Sequence, residues 1–125
     1  MGESRPCHCE RLHAAAIHFN AGEFFKCHEL LEDLWREQRG PTRDVYRGIL
    51  QIGIGYYHAL RANRRGAINV MGYGVTRLSG VLNVDVGYDL TRLVDEASRD
   101  RQRWREGVPL DRTLTPRLHR ATDRA

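Results

Sequence analysis

Between Thr42 and Arg61 the chain is apolar on almost every side. Tyr46, Ile49, Leu50, Ile52, Gly53, Ile54, Tyr56, Tyr57, Ala59 and Leu60 leave no wide polar stripe at any helical phase. The run is too long for a strand and lacks strict alternation, so it reads as a helix. A helix without a solvent face belongs at the centre of a domain and requires several others to cover it. Gly48, Gly53 and Gly55 each cost about 1 kcal/mol relative to alanine in a helix. Such glycines imply close approach of a neighbouring helix.

The covering elements can be found by periodicity. Leu12, Ala15, Ala16 and Phe19 recur at i, i+3, i+4, i+7 and define a first helix. Asn20 and Glu23 have the spacing of a capping box, and Gly22 between them predicts a turn into a second helix. That helix runs to about Gln38, where Gly40-Pro41 terminates it. After the central third helix, Asn63-Arg64-Arg65-Gly66 reads as a short connector. Ile68, Met71, Val75, Leu78 and Leu82 then form a fourth stripe. Asp89 reads as the N-cap of a fifth helix whose apolar side is Leu90, Leu93, Val94, Ala97 and Trp104. The expected architecture is all-α: a single-domain bundle of about five helices with an irregular C-terminal tail. Residues 1–8 read as a loose leader, 9–106 as the helical domain, and 107–125 as an arginine-rich tail, extended or disordered.

Charge narrows the function classes. The formal net charge is +4, and all of the excess lies after Ser98, where eight arginines face Asp100, Glu106, Asp111 and Asp123. A nucleic-acid binder spreads basic groups over a folded face, so this placement points away from nucleic acid. No apolar run reaches the length of a membrane span. Cys7, Cys9 and Cys27, with no export signal, point to free thiols in a reducing, cytoplasmic setting. Cys7-His8-Cys9 lacks the spacing of a structural zinc site and reads as incidental. The breadth of the third helix's apolar surface leaves room for a homodimer through Tyr56, Ile52 or the fourth helix.

The second helix holds the candidate chemistry. Phe24, Cys27, His28, Leu31, Leu34 and Trp35 share one face, and Glu32 lies at its edge beside Phe25. An imidazole and a carboxylate directed inward require partners. If the second and third helices are antiparallel about Pro41, residues whose numbers sum to about 82 lie level. His28 then falls opposite Ile54 and Gly55, within a turn of Gln51 and His58. Gly55 would remove bulk between them, and Trp35, Tyr46 and Tyr57 would wall the space. Three readings follow from such a cluster. It can be a structural network fixing helix register. It can be a divalent-metal site with His28, Glu32 and His58 as ligands. It can be an acid–base site in which Glu32 tunes His28 for hydrolysis or proton transfer on a bound small molecule. His58 and Gln51 can also belong, with Arg47, to a solvated side of the third helix.

Phe24-Phe25, His28-Glu29, Leu31-Glu32 and Trp35 together form the pattern Phe-Phe-x-x-His-Glu-x-x-Glu-x-x-Trp. With Phe19-Asn20, Gly22, Gln51, Tyr57-His58 and Gly66-Ala67, it resembles the prokaryotic family known as domain of unknown function 309, over about residues 10–105. The resemblance implies a small all-α bundle and no particular reaction, substrate or cofactor. It places Glu29 beside His28, Glu32, Trp35, Gln51 and His58 among the residues that typify the group. The sequence thus supports a small-ligand or divalent-metal pocket between the second and third helices, with His28 and Glu32 catalytic and Glu29, Trp35, Gln51, Tyr57 and His58 binding. A non-catalytic interaction domain with a structural polar network is the competing outcome.

Overall fold

The computed structural model describes residues 8–110 and 117–121. Five helices follow in order: α1 His8–Asn20, α2 Phe24–Glu37, α3 Gly40–Leu60, α4 Arg64–Ser79 and α5 Leu90–Arg105. No sheet forms among the described residues. The expected leader lies outside them except at its last residue, which opens α1. Residues 111–116 and 122–125 of the tail also fall outside.

The starts of the helices follow local chemistry. Asn63 accepts from the Gly66 amide at 3.0 Å and caps α4, so the expected connector is largely the first turn of that helix. Asp89 caps α5 through the Arg92 amide at 3.0 Å. Pro41 enters the first turn of α3, where its missing N–H is harmless. The capping box expected at Asn20 and Glu23 does not form. Glu23 precedes α2 but makes no side-chain cap bond and instead accepts from His18 Nδ1 at 2.7 Å.

α3 is central, as its all-round apolarity requires: it packs most extensively on α4 and next on α2, while α1 lies on α2 and α5 on α4. Val45, Tyr46, Ile49, Ile52 and Tyr56 of α3 are fully buried. Small residues set the α3–α4 contact. A Cβ on Gly48 would meet Leu78 Cβ at 3.0 Å, and one on Gly55 would meet Met71 Cβ at 3.2 Å. From the other side, Gly74 of α4 lies directly on α3 at Gln51 and Ile52.

The Tyr56 ring is the hub of the core. It stacks on Phe24 of α2 at 5.6 Å and meets Phe19 of α1 and Trp104 of α5 edge-on at 6.3 and 5.5 Å. Its hydroxyl donates to Asp100 at 2.6 Å. Ile52 and Tyr56 are therefore consumed within one copy, which corrects the expectation that either could form a dimer face. Further polar links tie helices together. Arg11 grips Glu37 through two bonds of 2.7 and 2.8 Å, and Arg77 bridges to Asp44 at 2.9 Å. Arg64 donates to the Trp104 and Arg105 carbonyls at the end of α5.

Residues 117–121 lie against the bundle. Leu118 is buried, and its amide and carbonyl bond the Asn20 side chain at 2.6 and 3.2 Å. The Asp89 amide donates to the His119 carbonyl at 2.7 Å, and Arg120 pairs with Tyr88 in an isolated antiparallel bridge. Asn20 thus clamps a segment remote in sequence. Asn20→Ala is expected to destabilise this docking by about 1–3 kcal/mol. Hydrogen exchange should register it as faster exchange at Leu118; unchanged protection would show that burial alone holds the segment.

Candidate functional site

The heptad-like spacing of α2 divides the aromatic motif between two sides. Phe24, Cys27, Leu31 and Leu34 enter the core, whereas Phe25, His28, Glu29, Glu32 and Trp35 occupy the flank beside α3. Phe25 is 58% exposed, so this flank reaches the surface. Its centre is a ring stack: Phe25 lies over His28 at 6.1 Å and beside Tyr57 of α3 at 6.0 Å. At its other end Trp35 carries the guanidinium groups of Arg47 at 4.4 Å and Arg43 at 4.8 Å. Arg61 covers Tyr57 at 5.4 Å. Each such cation–aromatic contact contributes about 0.5–1 kcal/mol at an exposed site.

Phe25 with Tyr57, and Trp35 with Arg47, are the level pairs of an antiparallel α2–α3 arrangement. The rotation of α3 is less simple. Gly55 faces Met71 on α4 rather than opening space beside His28. Gln51 lies on the same α4-facing side, where its Oε1 accepts from Arg77 Nε at 3.3 Å. His58 is half-buried near the end of α3, and its Nδ1 accepts from the Asn63 side-chain Nδ2 at 3.3 Å. Glu32 pairs with Arg36 one turn along its own helix at 3.5 Å, and Glu29 is exposed. Of the expected cluster, the structure brings His28 and Tyr57 into one aromatic stack around Phe25. Gln51 and His58 each bond a different neighbour.

His28 is distinctive in another respect. Its Nδ1 is buried and has no hydrogen-bond partner. Leaving a buried polar atom unpaired costs about 1–3 kcal/mol. Glu32 therefore does not hold that nitrogen. Among the described residues, no group of three or more His, Cys, Asp or Glu side chains is placed to hold a metal ion. Cys27, behind the flank, is buried and free, and burial pushes its thiol up to about 12. It is a core residue, inert as a thiolate near neutral pH.

Phe25, Arg43, Arg47 and Arg61 were not among the expected site residues. The arginines were legible in principle, since Arg47 is level with Trp35 in the antiparallel register and Arg43 lies one turn earlier.

Fold and flank together define an all-α bundle whose second and third helices present an aromatic strip bordered by arginines. Residues 12–70 match the family model described as Domain of unknown function (DUF309). The match contains the whole Phe-Phe-x-x-His-Glu-x-x-Glu-x-x-Trp pattern and is shorter than the span expected from the resemblance. The chain is also similar to Uncharacterized protein YpuF of Bacillus subtilis (strain 168), at 33% identity over 76 residues. That alignment covers 58% of this chain and 44% of the relative, so the chain spans less than half the relative's length. Among the described residues, no helix is long and apolar enough to cross a membrane.

Proposed function

We propose that this protein is a non-catalytic helical interaction domain, with the α2–α3 flank as its contact surface. The observation that carries this reading is the divergence of the polar candidates. Gln51 meets Arg77 across α3 and α4, His58 meets Asn63 at the end of its own helix and Glu32 meets Arg36 along α2, so the three do not converge on a shared ligand. The Gln51–Arg77 bond, between two helices, helps to fix their relative orientation. The exposed Phe25 ring, flanked by Tyr57 and by arginines stacked on Trp35, has the aromatic and guanidinium composition enriched at protein contact surfaces.

The alternative of a divalent-metal or acid–base pocket at His28 is separated by one variant. His28→Leu keeps roughly the volume of the half-buried ring while removing the unpaired nitrogen. It is expected to leave stability unchanged or raise it by up to about 1 kcal/mol. Thermal melts of the wild-type chain should be indifferent to added zinc or manganese ions. A rise of several degrees on adding either ion, abolished in His28→Leu, would replace this reading with the metal site.

A further inference from the structure

The groove between α4 and α5 lies away from the aromatic flank. It has a volume of about 400 Å³ and is lined by Asn69, Gly72, Tyr73 and Thr76 from α4 and by Ser98 and Arg101 from α5, among others. That volume lies in the range of small-molecule sites. Its lining contains one cation and no carboxylate.

Arg101 is held in a fixed pose. Its Nε donates to the Ile68 carbonyl at 2.8 Å, and its guanidinium rests on the backbone of Gly72. A Cβ at Gly72 would stand 3.0 Å from Nη2 and 3.2 Å from Cζ, so the absent side chain makes room for the fork. Among the described residues Arg101 has no acidic partner. Of the acids of α5 and its end, Asp100 pairs with Tyr56 and Arg103, Glu96 with Arg92 and Glu106 with Gln102, and Asp95 is exposed. The terminal nitrogens of a half-buried guanidinium thus border a polar groove with no internal counter-charge.

We infer that this groove binds the oxyanion group, phosphate or carboxylate, of a small molecule, with Arg101 as its charged anchor. A planar guanidinium offers two parallel donors to such a group. Thr76 and Ser98 add hydroxyl donors on opposite walls. Tyr73, 67% exposed at the rim, supplies an aromatic surface for the rest of the ligand. The space exceeds what a lone anion fills.

Amide NMR titration of the full chain tests this, with inorganic phosphate, phenyl phosphate and acetate as separate probes. Saturable shifts centred on Gly72, Thr76 and Ser98 are expected with phosphate or with acetate, and the tighter of the two identifies the preferred anion. Phenyl phosphate should bind more tightly than inorganic phosphate through Tyr73. Arg101→Gln should weaken binding by about 10-fold or more. Because that variant also loses the bond to Ile68, Ser98→Asp provides a second arm. It places a carboxylate at an exposed position in the groove and should abolish binding while the spectrum stays folded. Absence of saturable shifts with every probe overturns the inference. So do shifts that persist undiminished in Ser98→Asp, or that scatter over unrelated arginines.

Discussion

Gly74→Ala is expected to destabilise the bundle by about 3 kcal/mol, although alanine is the better helix former. A Cβ at this position would lie 2.9 Å from both the backbone nitrogen and Cγ1 of Ile52, and 3.0 Å from Gln51 Cβ. The Ile52 backbone belongs to the central helix, which cannot shift without disturbing Val45, Tyr46 and Ile49. The strain therefore cannot be relieved by rotating one flexible side chain. Thermal melting should show a drop of roughly 10 °C. Gly53→Ala is the internal control. There the nearest atoms to an added Cβ are Phe19 ring carbons at 3.8 and 3.9 Å, an ordinary contact. With no clash to offset it, the gain in helix propensity should raise stability by about 0.5–1 kcal/mol. Equal effects of the same sign from the two substitutions would show that propensity, not helix approach, governs both sites.

The second large effect is alkaline. Burial pushes the Cys27 thiol from its ordinary 9.0 up to about 12. Tyr56 is raised well above 10.0, first by burial and then by the Asp100 charge and hydrogen bond. Tyr88 moves the same way by burial, opposed by Arg120. Each group is neutral in the fold and more acidic once unfolded, so ionisation favours the unfolded chain. Their contribution is fully present below pH 9 and declines as pH rises, from about 9 for Cys27 and about 10 for Tyr56. The slope is about 1.4 kcal/mol per pH unit for each of the buried pair, Cys27 and Tyr56, in its window. Urea denaturation between neutral pH and pH 11 measures it. Tyr56→Phe should flatten the profile only above about pH 10, and Cys27→Ala should flatten it from about pH 9. Identical slopes in the wild-type chain and both variants would mean that neither buried group governs alkaline stability.

The number and order of helices were legible because each covering helix has a single apolar stripe. Asp89 was recognisable as a cap because its partner is only three residues away. The antiparallel register of α2 and α3 also followed from a short connection. What could not be recovered was the rotation of α3. A helix apolar on every side offers no polar stripe to set its phase, so the short connection alone places Gly55 and Gln51 on the α2 side, whereas they face α4. Asn20 and Glu23 illustrate a second limit. Their spacing satisfied a local rule, but Leu118, remote in sequence, captured one and His18 the other. The aromatic pattern gathers Phe25 and His28 on one flank of α2, beside Tyr57 of α3. Its translation into a polar cluster required partners that α3 directs elsewhere.

A single phenol ring touching three other helices has consequences for how this molecule comes apart. Neither the first helix, the second nor the last can peel away without stripping one wall from the same ring, leaving its hydroxyl or its faces exposed. Partial opening is therefore penalised at once from several directions, and loss of structure should proceed as one concerted event. A contact surface built on such a body would meet its partner with a shape already set.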